Sequence, residues 1–518
     1  MSAWRGVISA AALLGAVAAR ASTSVYPLRP DDATAVYVDQ DSVGAVGDGR
    51  TDDTAALQRA IDRVQETTRR GVVFLPQGRY RLTKTLLIWS GIRVIGFGQT
   101  RPVLVLDHDT PGFQDGPGKY LVHFVSDRPE SPQQPVRDAN PGTFYSAMSN
   151  IDIEIGPGNP AAVGVRSHYA QHCFLAHMDF RIGEGRAGVE EVGNESEDLH
   201  FYGGEFGITT HKPSPSWPFL LIDSTFEGQR RAAIETQEGG LTLIRTQVKN
   251  VPTVILVREN RAEELWMKDS RFENISGPAV VISDERSART QINLQNTICR
   301  NVPVFAAFRE SGRTLAGVGP SYRVDEFCHG LQLADLGAAP EISTTFKPEA
   351  IETMPPPAPS DLAPLPPMAT WMNLRALGAK GDGVTDDTPV LRAAIAAHRA
   401  IYLPAGRYRV TDTITLRPDT VLIGFNPITT QILITDFTTS FQGVNGPSER
   451  PVPPASGYFH AYPPFAGKGA PKAMLEAPRG GTNIITGIGL DTGGVNNRAV
   501  ALKWMAGEAS LVNDVRFL

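Results

Sequence analysis

Two carboxylates held on neighbouring strands of a stacked sheet push their pKa values apart, the arrangement that a general acid and its ionised partner require. Asp179 and Glu205 offer such a pair. Aligning the apolar anchors Phe180, Phe206, Phe226, Val248, Phe272 and Ile298 stacks Asp179, Glu205, Thr225, Gln247 and Arg271 into one outward ladder, with rungs about 4.8 Å apart. That spacing suits carboxyl separations of about 5 to 9.5 Å, the range used to cleave glycosidic bonds. A slip of one residue would turn either carboxylate to the other face. The flanking ladders, Asp223–Arg245–Asp269 and Glu227–Lys249–Glu273, alternate in sign and are read as cross-strand ion pairs with a structural role.

His168, His172 and His177 crowd one stretch beside Tyr169. Of these, His168 and His172 share a strand face, and no acidic ligand accompanies them at usable spacing, so no metal is expected. His168 and Tyr169 remain candidates for contacting a substrate. Trp217, with Trp266 and Tyr202, could floor a sugar-binding groove or serve in packing. Asp52/Asp53 and Asp386/Asp387 follow Gly-rich turns and open predicted helices, where carboxylates satisfy free backbone N–H groups. They are read as caps rather than catalysts.

The elements that must position these residues come as one unit written twice. Gly44-Ala-Val-Gly-Asp-Gly-Arg-Thr-Asp-Asp-Thr54 returns as Gly378-Ala-Lys-Gly-Asp-Gly-Val-Thr-Asp-Asp-Thr388, and Phe74-Leu-Pro-Gln-Gly-Arg-Tyr-Arg81 as Tyr402-Leu-Pro-Ala-Gly-Arg-Tyr-Arg409. Val94-Ile-Gly-Phe97 likewise returns as Leu422-Ile-Gly-Phe425. Short alternating strands recur at a pitch of roughly two dozen residues, which suits coils of a solenoid. The fold class expected is therefore all-β, two tandem right-handed parallel β-helices, the second incomplete. One short helix per module, with Leu57, Ala60, Ile61 and Val64 in the first and Leu391, Ala394 and Ile395 in the second, would close the open end of each stack.

Residues 1–21, with Arg5 before an apolar run and small residues at Ala16/Ala18 and Ala19/Ala21, read as a signal peptide. Residues 22–338 form the first domain, 339–371 a Pro-rich linker and 372–518 the second domain. The protein is expected to be secreted or periplasmic, with no membrane span. A net charge of −6 and the lack of any Lys/Arg cluster argue against nucleic acid. Three scattered cysteines, with no C-x-x-C pair, read as free thiols.

The duplicated G-A-x-G-D-G-x-T-D-D-T segment, with its L-P-x-G-x-Y and I-G-F blocks, resembles the pectate-lyase-like superfamily. Carrying two such modules, the chain is most similar to glycoside hydrolase family 55, the β-1,3-glucanases. That resemblance implies a substrate cleft between the two helices and places Gln171 in it. It also implies an acid on later coils of the second helix, for which this sequence has no match. A glycoside hydrolase acting on a β-glucan-like polysaccharide, cofactor-free and monomeric, is the first expectation. A polysaccharide lyase or epimerase, and a non-catalytic carbohydrate-binding β-helix, are the alternatives.

Overall fold

The computed structural model describes residues 22–131, 133–139, 142–211, 218–443 and 469–518. The segment read as a signal peptide, and Trp217, lie outside the described residues. Among the described residues no helix is long and apolar enough to cross a membrane.

Both modules are right-handed parallel β-helices with three faces. In the first module, the first face stacks Gly71–Pro76, Ile92–Phe97, Ala147–Ser149 and their successors up to Glu264–Lys268 in parallel register. The second face runs from Arg79–Leu82 to Arg271–Glu273, and the third is a separate ten-stranded sheet. Phe174–Gly183, Glu195–Gly203 and Gln291–Arg300 pass unbroken through the corner and join the first two faces. The far end is capped by antiparallel pairing of Gln291–Arg300 with Ser321–Gln332, and of that strand with Glu341–Ala350. The stretch 339–371 is thus not all linker. Its first part belongs to the first module, because Glu341–Ala350 finds a strand edge to pair with.

Alternate side chains fill the bore. Phe180, Phe201 and Phe226 stack at 4.8 and 4.7 Å between centroids, followed in register by Val248, Phe272 and Cys299. The expected ladder placed Phe206 and Ile298 at two of these rungs. Gly203 and Gly204, at φ 71° and 83°, end the second face before Glu205, so Phe206 opens the third face instead. Such angles are open to glycine and strained for other residues. Cys173 and Cys299 are buried free thiols and Cys328 is partly buried.

The closing helices are present at Thr54–Thr67 and Thr388–Ala397, with the expected apolar residues buried. Their acidic pairs hold the turns by two routes. Asp52 accepts from the Thr54 N–H, as a cap does, whereas Asp53 reaches back to accept from Val46 and Gly47 N–H at 2.8 and 2.9 Å. Asp386 and Asp387 repeat both roles in the second module. Asp53→Ala would strand two backbone donors beside a fully buried site. It is expected to lower unfolding free energy by about 1–3 kcal/mol in urea denaturation.

The chain then doubles back. From Ile351 it runs beside the first helix, with Arg271 donating to Pro355 O and Arg245 paired with Asp361, before Trp371 packs between the modules. Phe74 and Phe425 meet edge to face at 5.3 Å, inside a cluster that includes Tyr402, Ile95 and Tyr26. Tyr402 and Phe425 are the repeat counterparts of Phe74 and Phe97, so the two first faces pack against each other through equivalent residues.

Candidate functional site

Three residues before each inner anchor, the backbone turns from the first face to the second with a positive φ. His177, Asp198, Asp223, Arg245, Asp269 and Asn296 occupy this corner at φ 49–56°, and Asp514 holds the same place in the second helix at 52°. Asn, Asp and His tolerate this region better than most residues. The corner aims their side chains out of the coil. His177, Asp198, Asp223 and Asp514 accordingly line a cleft of about 340 Å³ between the helices, together with Glu197, Phe174 and Leu362–Leu365 of the returning segment.

One wall of the cleft is locked. Arg93, 1% exposed, grips Asp514 with both terminal nitrogens and donates to the carbonyls of Phe425 and Tyr145. On the other wall, burial pushes the Glu197 carboxyl above its ordinary value, helped by Asp198 and Asp223 and opposed by His177. Asp198 goes the other way. Burial works to raise it, but hydrogen bonds from His177 Nδ1 at 2.8 Å and His200 Nε2 at 2.9 Å overcome that and hold it low. Two adjacent carboxyls are thus divided into one favoured as the acid and one favoured as the anion.

Glu195, two residues along the same strand, is pushed up to about 7 by burial and by the charges of Asp514 and Glu197. Because its folded value lies above the ordinary 4.5, the folded state binds more protons than the unfolded chain between pH 4.5 and about 7. This group's contribution to stability is complete below 4.5 and is lost as pH rises through that window. Glu195→Gln is expected to flatten the fall in thermal midpoint across it.

The residues singled out from sequence are dispersed. Asp179 pairs in register with His200, not Glu205, and its neighbour on the preceding rung is Asp152. Both aspartates are bound by Arg101 and Arg181. Glu205 sits in the turn before Phe206–His211 and pairs with Arg231 at 3.3 Å. Tyr169 is 2% exposed, in the core against Phe124, because the bend after Ala162–Arg166 points it inward. His168 donates to Asp138, which also takes Arg166 and His123. Gln171 is half-buried in the turn leading to Phe174–Gly183. Trp266 and Tyr202 are partly exposed on the first and second faces. Of the expected ion pairs, Asp223–Arg245 and Glu227–Lys249 form at 2.5 and 2.9 Å, whereas Glu273 is paired with Arg271 and Arg300. Among the described residues no group of three or more His, Cys, Asp or Glu is arranged to hold a metal ion.

Glu197 and Asp198 did not emerge from the sequence. The signal that finds them is the corner rule itself, three residues before Phe201.

The chain is similar to several characterised proteins. It is 23% identical over 434 residues to the non-secreted LysM effector LysM19 of Penicillium expansum, covering 74% of this chain and 32% of that protein. It is 22% identical over 432 residues to a glucan 1,3-beta-glucosidase of Cochliobolus carbonum, covering 74% of this chain and 51% of the relative. The chain therefore spans about half or less of these two relatives' lengths. Among solved structures, the catalytic unit of a GH87 alpha-1,3-glucanase from Streptomyces thermodiastaticus aligns with 95% of this chain and 69% of its own, at 12% identity and a TM-score of 0.38. The family described as "Rhamnogalacturonase A/epimerase, pectate lyase-like" matches residues 37–274 and again 371–517, once for each β-helix. With both modules matched, the chain belongs to the pectate-lyase-like family of rhamnogalacturonase A and epimerases.

Proposed function

We propose that this is a secreted, monomeric, polysaccharide-active protein of the β-1,3-glucan hydrolase type, binding its chain along the cleft between the two helices. The observation that carries the reading is the division of adjacent carboxyls at the cleft wall, Glu197 pushed up and Asp198 held down. In this reading Glu197 donates a proton to the departing glycosidic oxygen, and Asp198 stays ionised to stabilise positive charge or orient water. His177 and His200 hold the Asp198 carboxylate in place. Phe174, half-buried at the cleft, offers an apolar ring for a sugar face. The similarity to a glucan 1,3-beta-glucosidase supports the choice of substrate.

The test is a reducing-end assay on laminarin and a panel of other glucans and uronans. New reducing ends on β-1,3-glucan support the reading. Unsaturated products from a uronan would replace it with a lyase, and tight binding without any product would replace it with a binding module.

A further inference from the structure

We propose that a recess under the returning segment, further along the first helix than the cleft, is a second glycan subsite that takes one neutral sugar ring. The proposal rests on the polysaccharide reading above and adds a place where a chain is held without being cut. On the outward side of the second face, Thr225, Gln247, Arg271, Ile298 and Arg323 follow one another in register on successive strands. Ile298 is apolar and half-buried, with an arginine on the strand to either side. Two strand spacings separate those arginines, about 10 Å. Pro355, Pro356 and Pro357 of the returning segment, with Asp269, complete the lining of a recess of about 220 Å³. That is below the ~300–1,000 Å³ of sites for drug-sized ligands, which limits the occupant to about one ring.

The lining is built before anything binds. Arg271 Nη1 donates to Pro355 O at 2.7 Å, and Arg245 pairs with Asp361 at 2.8 Å, so the returning segment is fixed at both ends of the recess. Its prolines have little backbone freedom left to lose. Ser360 and Asp361 cross onto Asp223 and Arg245 and divide the recess from the cleft, where Leu362–Leu365 form part of the wall.

The open hydrogen-bonding positions match a polyol. Among the described residues, Arg271 Nη2, Arg323 Nη1 and the Gln247 amide have no partner. Asp269 takes the Asn296 amide at 2.6 Å on Oδ1 and keeps Oδ2 open, because Arg245 is occupied by Asp223 and Asp361. The recess thus offers donors and acceptors around an apolar floor, and a pyranose presents hydroxyls around an apolar C–H face. Charge decides against an anionic ring. Arg245, Arg271, Arg300 and Arg323 stand against Asp223, Asp269, Asp361, Glu273, Asp325 and Glu349. With no surplus of positive charge, the arginines offer directed N–H groups, and a carboxylate or sulfate would arrive uncompensated.

The test is migration of the full chain through native gels containing laminarin or polygalacturonate, measured for the parent, Gln247→Ala and Ile298→Ser. Gln247 has no side-chain partner and Ile298 faces outward, so neither change removes a contact that holds the fold. Laminarin should retard the parent, and each variant should need about three- to tenfold more of it for the same retardation, the worth of one lost contact. Variants that migrate like the parent in laminarin overturn the subsite and leave the hydrolase reading standing if the parent releases reducing ends. Weakened variants of a parent that releases none support the subsite and remove the hydrolase. A parent retarded by polygalacturonate alone, or by neither polymer, overturns the subsite whatever the reducing-end assay gives.

Discussion

Under the hydrolase function proposed above, Glu197→Gln is expected to lower turnover on β-1,3-glucan by about 10²–10⁴-fold, with little change in KM. Glutamine keeps the size of the side chain and removes only its transferable proton. The carboxyl it replaces is partly buried, and burial disfavours its charge. Removing it therefore leaves thermal stability at pH 8 unchanged or raised, which separates a catalytic loss from a folding defect. The pH profile gives a second check. In the proposed mechanism Glu197 acts protonated, so an alkaline fall in rate is expected from it, whereas Asp198 stays ionised well into the acid range because His177 and His200 hold it low. Asp198→Asn should lower turnover while keeping that alkaline fall. Unchanged rates in both variants would sink the assignment.

How much of this was legible beforehand depends on what kind of signal each feature leaves. The duplicated motif is a direct copy, so the two modules, their closing helices and the structural use of Asp52/Asp53 and Asp386/Asp387 could be read from it. Register was harder. Phe-Tyr-Gly-Gly-Glu-Phe, residues 201–206, offers two phenylalanines for one rung, and alternation within a strand cannot choose between them. The glycine pair decides, because it ends the strand at Gly203. Placing the anchor at Phe206 promoted Glu205, a half-exposed residue paired with Arg231, and hid Glu197 and Asp198. With the anchor at Phe201, the pattern of His177, Asp198, Asp223, Arg245, Asp269 and Asn296 three residues before each rung becomes visible. The Asn250–Asn274–Asn301 chain of hydrogen bonds at the next corner, 2.9 and 2.8 Å apart, has the same origin. Contacts between modules leave no periodic trace. Arg93 and Asp514 are 421 positions apart, and only their docking reveals them.

That docking is where the largest stability effect is expected. Arg93→Met leaves Asp514, 6% exposed, as a buried carboxylate without its partner. Breaking such a pair costs about 3–5 kcal/mol, a large share of the 5–15 kcal/mol that typically holds a domain together. Each module has its own apolar core. The cost should therefore fall on the contact between the helices rather than on either helix, and the variant is expected to unfold in two urea transitions where the parent shows one. Protease should also reach the Pro-rich return segment, which lies against both modules only while they are docked. Adding Asp514→Leu to Arg93→Met removes the stranded charge, and apolar replacements of a whole buried pair are often neutral or stabilising. The double variant should regain most of the lost stability, though the carbonyls of Phe425 and Tyr145 lose the donor they shared. If the single variant unfolds like the parent, the clamp contributes nothing to docking, and the aromatic cluster around Phe74 and Phe425 holds the two helices together with the hydrogen bonds of Asp31 and Asp32 to Asn373 and Ala405.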